Sequence, residues 1–378
     1  MKVAVTTLAF CVAALVALGL VMLYSSTMTT SAGAHDLMMQ LVWCAFGFAL
    51  CVTATSLDYQ LLKKLAWPAF GGALVLLAMV FAPFIGHASH GAHRWIGRGH
   101  ITLQPSEFAK VALIIALAWY GDRYQRTMHT FKKGILIPML IMGAMLGLIF
   151  IEPDRGQTIL LSAVSGAILV IAGVRWRYIL IPVFLGAAGL AFSLFHDSMR
   201  KGRISAWLHP DAHAGGAALQ AQQAMIGLGS GGWCGVGLGN GLQKNGYLPE
   251  IQTDFIFANI GEELGLVATL FVVLLFVTLA ICGIYIALNA RDTFGFLLAS
   301  GITFLISLQA AINIGVVTSA LPNKGLPLPF ISYGGSNLLA MLICIGLLFS
   351  VARHAPVREK KSKPVSEADE NPFAARAT

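Results

Sequence analysis

The sequence predicts an all-α, polytopic integral membrane protein of about ten transmembrane helices, with one large external loop between the seventh and the eighth. Three observations carry this expectation. The 378 residues have a mean hydropathy of +0.76, and 57% are hydrophobic while only 11% are charged. A soluble domain carries about 25% charged residues, so too little polar surface exists here to cover a globule in water. The apolar residues fall in runs long enough to cross a bilayer, which takes about 20 helical residues. Lysine and arginine gather in every second connection, the bias that orients membrane proteins.

The expected spans lie near 3–24, 37–56, 67–86, 105–120, 134–151, 157–174, 178–195, 261–288, 294–320 and 331–352. Met1 and Lys2 precede an apolar run to Tyr24. A signal peptide's apolar region is usually about 7–15 residues, so this longer run reads as a retained first span. His196 to Asn259 is the one long connection. A transmembrane domain is expected over 1–353, followed by a polar, disordered tail over 354–378 with nothing in it to bury a face.

Orientation follows from the basic residues. Lys2, Lys63, Lys64, Arg123, Arg126, Lys132, Lys133, Arg175, Arg177, Arg291 and the six basic residues from Arg353 onward make 16 of 25 on one side. That side is expected to be the cytoplasm, with both termini in it. The other nine are Arg94, Arg98, Lys110, Arg155, Arg200, Lys201, Arg203, Lys244 and Lys324, toward the external face. Seven of the 17 acids accompany them: Glu107, Glu152, Asp154, Glu250, Asp254, Glu262 and Glu263. Such cations either neutralise an external anionic ligand or pair with those acids. The six cysteines form no C-x-x-C pair, and five lie in apolar runs where a thiol acts as a small hydrophobe. His87, His90, His93 and His100 lie among glycines and read as a loop, since no acid or thiol partner has metal spacing.

Five stretches could carry chemistry. Gln104-Pro105-Ser106-Glu107 opens the fourth span with a proline suited to a helix start, and Lys110 shares a helix face with Glu107. An intramembrane ion pair is either functional or a pin between helices. Glu152-Pro153-Asp154-Arg155-Gly156 is a turn by composition, with two carboxylates beside an arginine. Gly227 to Gly241 could aim backbone N–H groups at a phosphate or form a close-packed re-entrant loop. Pro249 suits a helix start, which would set Glu250, Asp254 and Glu262 broadly on one side. Asp254 precedes Phe255-Ile256-Phe257, and an apolar setting raises a carboxyl pKa toward that of a useful proton acceptor. Leu321 to Phe330 holds three prolines and reads as a stiff external loop with Lys324 at its tip, entering Ile331-Ser332-Tyr333-Gly334-Gly335-Ser336.

Together these residues resemble the SEDS family (shape, elongation, division and sporulation), whose members are FtsW, RodA and SpoVE. The resemblance rests on Arg94-Trp95-Ile96, Gln104 to Glu107 with Lys110, Pro153-Asp154-x-Gly156, Gln220 with Gln223, and Gly237-Leu238-Gly239. It rests also on Leu248-Pro249-Glu250-x-x-Thr253-Asp254-Phe255-Ile256-Phe257, Gly261 to Gly265, and Pro327 to Ser336. Gly239-Asn240-x-x-Gln243-Lys244 and Asn323 to Pro327 look most like FtsW members. Ser106 is more frequent in RodA members, and Leu219 and Gln157-Thr158 depart from the family's usual residues.

The resemblance implies a peptidoglycan glycosyltransferase that joins lipid II into β-1,4-linked glycan with inversion, releasing undecaprenyl diphosphate at the outer face of a bacterial inner membrane. It implies septal wall synthesis, with the RodA-type elongation role and a lipid II flippase as the alternatives. Its essential Asp maps onto Asp254. The site would be supported by Arg94, Glu107, Lys110, Asp154, Arg203, Gln220, Gln223, Lys244, Glu250, Lys324 and Ser332. A diphosphate leaves without a general acid, so one base suffices, with fixed cations such as Arg94, Lys110, Arg203, Lys244 and Lys324 meeting the growing charge. No cofactor is implied, although carboxylates and diphosphate could share a divalent cation. The implied partners are a class B penicillin-binding protein, other division proteins and membrane lipids, with no nucleic acid. The charge bias gives a first test. A cysteine at Asn245, with Cys234 replaced, should react with an impermeant thiol reagent in intact spheroplasts; protection until lysis would reverse the orientation.

Overall fold

The computed structural model describes residues 1–28, 33–82, 86–89, 92–98, 101–196, 205, 207 and 219–356. The helices are α1 (Lys2–Thr27), α2 (Gly33–Ser56), α3 (Leu61–Met79), α4 (Pro105–Tyr124), α5 (Ile137–Ile151) and α6 (Arg155–Ile171). They continue with α7 (Trp176–His196), α8 (Leu219–Ser230), α9 (Ile256–Leu288), α10 (Thr293–Val317) and α11 (Gly335–Arg353). Each expected span overlaps one of these helices in part or whole. Among the described residues seven helical segments are long and apolar enough to cross a membrane by length and composition, α5 counting only together with the π-helical turn Lys132–Leu136 before it. Among the rest, α4 carries Glu107 and Lys110 and is buried along most of its length, so protein rather than lipid surrounds it.

Which faces meet lipid is legible from exposure. On α9, Val267, Leu270, Phe271, Leu274, Val277, Ile281, Ile284 and Leu288 are exposed at helical spacing. An apolar stripe of that length is untenable in water and ordinary in a bilayer. Conversely α11 is buried almost throughout. It packs on α2, while α9 packs on α1, α8 and α10, and α4 packs on α3, α6 and α10. The chain is thus an integral membrane protein built around α4, α10 and α11.

Three expectations need correction. The third span was expected over 67–86, but α3 covers Leu61–Met79. It starts early because Lys63 is neutralised by Asp292 at 2.7 Å and Asp122 at 3.1 Å. The residues that follow include a three-stranded antiparallel sheet, β1 (Gly86–Ser89), β2 (Ala92–Arg98) and β3 (Ile101–Leu103), where a loop was expected. Its register pairs Gly86 with Ile96 and Ile96 with Leu103, which brings Arg94 to the bundle end. Finally, no helix starts at Pro249. Glu250 has φ +58°, and α9 begins at Ile256, so Glu250, Asp254 and Glu262 do not share a helix face. Residues 357–378 of the expected tail lie outside the described residues.

At the other end of the bundle, Asp292 caps α10 by accepting from Gly295 N–H at 3.1 Å. Burial opposes its ionisation, yet hydrogen bonds from Lys63, Tyr59 and Gln60 hold its carboxyl down at about 2. This cluster fastens the α2–α3 connection to the start of α10.

The glycine-rich stretch packs against a break in α9. Gly265 has φ +78°, and a Cβ there would collide with the Gly235 backbone. Val236 N–H and Gly237 N–H donate to the Glu262 and Glu263 carbonyls at 3.0 and 3.1 Å. Gly232 and Gly235 both have positive φ, but only a Cβ at Gly235 would strike backbone, at Glu263. Gly232→Ala should therefore cost about 1–2 kcal/mol of conformational strain. Gly235→Ala adds overpacking of about 1–3 kcal/mol, so thermal unfolding in detergent should rank it clearly below Gly232→Ala.

Candidate functional site

The polar residues at one bundle end form a connected set. It starts in the turn between α5 and α6. Asp154 caps α6 by accepting from Gln157 N–H at 3.1 Å. Arg94 from β2 reaches this turn, donating to the Pro153 carbonyl at 2.8 Å and the Glu152 carbonyl at 3.3 Å. It also lies 3.8 Å from the Asp154 carboxylate. Glu152 is fully buried, and both its carboxyl oxygens lack a hydrogen-bond partner among the described residues. Burial, then repulsion by Asp154, pushes its carboxyl up to about 8 against the pull of Arg94.

The set continues inward through Gln157, whose amide donates to Glu107 at 2.6 Å. Glu107 pairs with Lys110 at 2.7 Å, and Lys110 has no exposed surface. Lys110 also donates to Gln309 at 3.0 Å. Gln309 donates in turn to the Pro327 carbonyl at 2.9 Å. One turn along α10, Asn313 donates to the Leu326 carbonyl at 2.7 Å and to the Asp254 carbonyl at 2.8 Å.

Asp254 ends this chain. It is half-buried just before α9, and its carboxylate rests against exposed Gly325, 2.8 Å from the place a Cβ would occupy. Burial first, then the charges of Glu250 and Asp154, raise its carboxyl to about 7; Arg94 acts the other way. Beside it Ser332 donates to the Thr253 carbonyl at 2.5 Å and accepts from Leu328 N–H at 2.8 Å, joining the two non-helical segments. A hollow of about 280 Å³ lies alongside, lined by Glu250, Ile251, Gln252, Thr253 and Tyr333. The arrangement offers a carboxylate whose pKa suits proton acceptance near neutrality, with an arginine close enough to act on it.

Residues 5–356 match the FtsW/RodA/SpoVE family of cell cycle proteins. The chain belongs to this family. It is 38% identical over 360 residues to the probable peptidoglycan glycosyltransferase FtsW of Trichlorobacter lovleyi, covering 93% of this chain and 94% of that one. The probable FtsW of Geobacter metallireducens is 40% identical over 344 residues, covering 90% and 92%. Stage V sporulation protein E of Bacillus subtilis is 34% identical over 346 residues, covering 90% and 94%. In structure, the chain is similar to a chain of a peptidoglycan synthase complex, with TM-score 0.75, 28% identity, and 92% and 96% of the two chains covered. The rod shape determining protein RodA of Thermus thermophilus gives TM-score 0.68 at 28% identity, covering 92% and 95%.

Of the residues singled out from the family's motifs, Arg94, Glu107, Lys110, Asp154, Asp254 and Ser332 come together in this set. Glu250 is exposed, and Thr253 donates to its carboxylate at 3.0 Å. Gln220 on α8 accepts from Asn323 at 2.6 Å and so ties that helix to the proline-rich loop; Gln223 lies half-buried on the same helix. Lys324 is half-buried beside Gly325, where burial lowers its pKa, and it makes no ion pair among the described residues. Arg203 lies outside the described residues.

Two cations differ from expectation. Lys244 is spent inside the protein, donating to Glu263 at 2.9 Å, to the Gly239 carbonyl at 2.6 Å and to Ser25. Lys110 is enclosed by Glu107 and Gln309. In this structure both are answered by the protein's own groups. Nor does the glycine-rich loop cradle a phosphate. Gly239 and Leu242 N–H groups donate to the Glu263 and Glu262 carboxylates at 3.0 and 2.8 Å, so the protein's own anions fill that role. Among the described residues no three His, Cys, Asp or Glu side chains are grouped to hold a metal ion. Sequence reasoning missed Gln309 and Asn313; the available signal was a pair of amides at i, i+4 inside an apolar span.

The Glu107–Lys110 pair gives a quantitative test. Removing one partner leaves a buried charge uncompensated, which costs about 3–5 kcal/mol. Lys110→Met alone should lower the thermal midpoint sharply, and adding Glu107→Met should restore most of it. Additive losses in the double-mutant cycle would show that the two do not pair.

Proposed function

We propose that this protein is an inverting peptidoglycan glycosyltransferase that polymerises lipid II on the outer face of the bacterial cytoplasmic membrane, with Asp254 as general base. The observation that carries the reading is the Asp254 carboxylate, half-buried against exposed Gly325 and raised to about 7, in a chain of the FtsW/RodA/SpoVE family. The relatives named FtsW support a septal role in division. The similarity to a peptidoglycan synthase complex supports a class B penicillin-binding protein as partner.

The chemistry follows from the carboxylate. The 4-hydroxyl of the acceptor GlcNAc gives its proton to Asp254 as its oxygen attacks the anomeric carbon of the donor sugar. Attack comes from the face opposite the diphosphate. The bond to the diphosphate breaks, and its electron pair leaves with undecaprenyl diphosphate. The α configuration becomes β. Negative charge grows on the leaving group, and Arg94 and Lys324 are cations at this end suited to meet it. Arg94 is held in place by two carbonyls and Asp154, so it costs little reorganisation as the charge develops.

The test is glycan formation from purified lipid II by purified protein, with and without the partner. Loss of a general base typically costs about 10²–10⁴ in rate, so Asp254→Asn should fold, insert and bind its partner yet form almost no glycan. Asp254 accepts a proton only when ionised. The wild-type rate should therefore rise with pH through about 7 and decline as pH falls below it. Wild-type rates from Asp254→Asn would remove the base. Absence of polymerisation by wild-type protein and complex alike would favour a lipid II transporter.

A further inference from the structure

Gln309 and Asn313 are both buried on α10. A buried amide is normally hydrogen-bonded, so its partners reveal what it holds. Asn313 Nδ2 faces two carbonyls, those of Asp254 and Leu326, at 2.8 and 2.7 Å. Only the nitrogen can face them, because a carbonyl cannot donate. Gln309 Nε2 faces the Pro327 carbonyl and Asn337 at 2.9 and 3.2 Å, while its oxygen accepts from Lys110 at 3.0 Å. One face of α10 thus gathers carbonyls from two segments that have no helical or sheet pairing to hold them, 250–255 and 321–330. These are the segments whose contact seats the Asp254 carboxylate against Gly325.

We infer that Asn313 is a positioning residue for Asp254: by tying the carbonyls of Asp254 and Leu326 to one nitrogen, it fixes the carboxylate against Gly325. Gln309 sets the same register from the Glu107–Lys110 pair, so the buried ion pair and the reacting carboxylate share one rigid face of α10. This rests on the reading of Asp254 as the base. Asn313 carries no charge and touches Asp254 only through its main chain. The charges that act on the carboxylate are Glu250 on its own segment, Asp154 at the α5–α6 turn and Arg94 on β2; Lys324 neighbours Gly325. The clamp keeps the carboxylate in its half-buried seat among them.

The experiment compares full-length wild type, Asn313→Leu and Gly325→Ala. Leucine keeps asparagine's branching at Cγ, with somewhat larger methyl groups, and lacks its donors. Alanine at Gly325 intrudes on Asp254 directly and leaves Asn313 untouched. Two readouts are taken: kcat and KM for lipid II polymerisation, and titration of the Asp254 carboxyl by infrared difference spectroscopy, assigned with Asp254→Asn. A misplacement of 1 Å can cost about 10²-fold in rate. Both variants should lose kcat on that scale with KM within about twofold. Their carboxyl midpoint should move down from about 7 as the loosened segment admits water. A purely structural Asn313 would lower thermal stability and leave kcat and midpoint unchanged per folded molecule, and that result overturns the inference. Should Asn313→Leu not be recovered folded, Asn313→Ala, which removes the same donor without adding volume, takes its place, and an unmoved midpoint there has the same force. If wild type fails to polymerise, the functional reading falls, while the midpoint still decides whether the clamp exists.

Discussion

A lysine with no exposed surface needs its charge answered inside the protein, and the Glu107–Lys110 pair is where that demand organises the structure. One carboxylate does not satisfy an ammonium group with three donors. The remainder recruits Gln309 from α10, and Glu107 recruits Gln157 from α6. A buried ion pair is retained only where such extra hydrogen bonds complete it. In this protein the completing partners come from different helices, so the pair fixes α4, α6 and α10 in register. Asp154 stands at the start of α6, and Asp254 hangs from α10 through Asn313. The end of the bundle that carries Asp254 therefore inherits its geometry from a charge that never meets solvent.

A second constraint comes from the surrounding lipid. Non-helical backbone at membrane depth must be covered by protein, and the carboxylates here divide according to how that need is met. Glu262 and Glu263 absorb the N–H groups of the glycine-rich loop, and Glu263 also holds Lys244. They are consumed by folding. Among the described residues, Asp254 and Glu152 are carboxylates left short of partners, and both are shifted strongly upward. Perturbed carboxyls of this kind are where acid–base chemistry is expected. Glu152 is fully enclosed, whereas Asp254 lies beneath an exposed glycine, which gives only the latter a route to a substrate hydroxyl.

The helices were largely legible because hydropathy is read over long windows, and an apolar face exposed to lipid leaves a strong signal, as on α9. Local signals were weaker. The short sheet over 86–103 was hidden among glycines and histidines that read as loop. Pro249 looked like a helix start, but the backbone first passes through the left-handed region at Glu250 before α9 begins. Asp254, Arg94, Asp154 and the Glu107–Lys110 pair could be singled out because charge is conspicuous in an apolar chain. Gln309 and Asn313 carry none, and two amides barely alter the hydropathy of a 25-residue helix. Lys244 is the converse case. Its charge was visible, but its partner Glu263 lies 19 residues away across a loop whose path the sequence does not reveal.

The proposed role of Asp254 is to take the proton from the acceptor hydroxyl. The most direct measurement is a structure of the complex between this protein, its transpeptidase partner and a lipid II analogue with an unreactive donor phosphate. A general base must sit within about 2.6–3.2 Å of the oxygen it serves. The acceptor 4-hydroxyl should lie at that distance from the Asp254 carboxylate, with the diphosphate on the opposite side of the anomeric carbon and near Arg94. A well-ordered acceptor whose hydroxyl meets another group, with Asp254 still covered by Gly325 and out of reach, would contradict it.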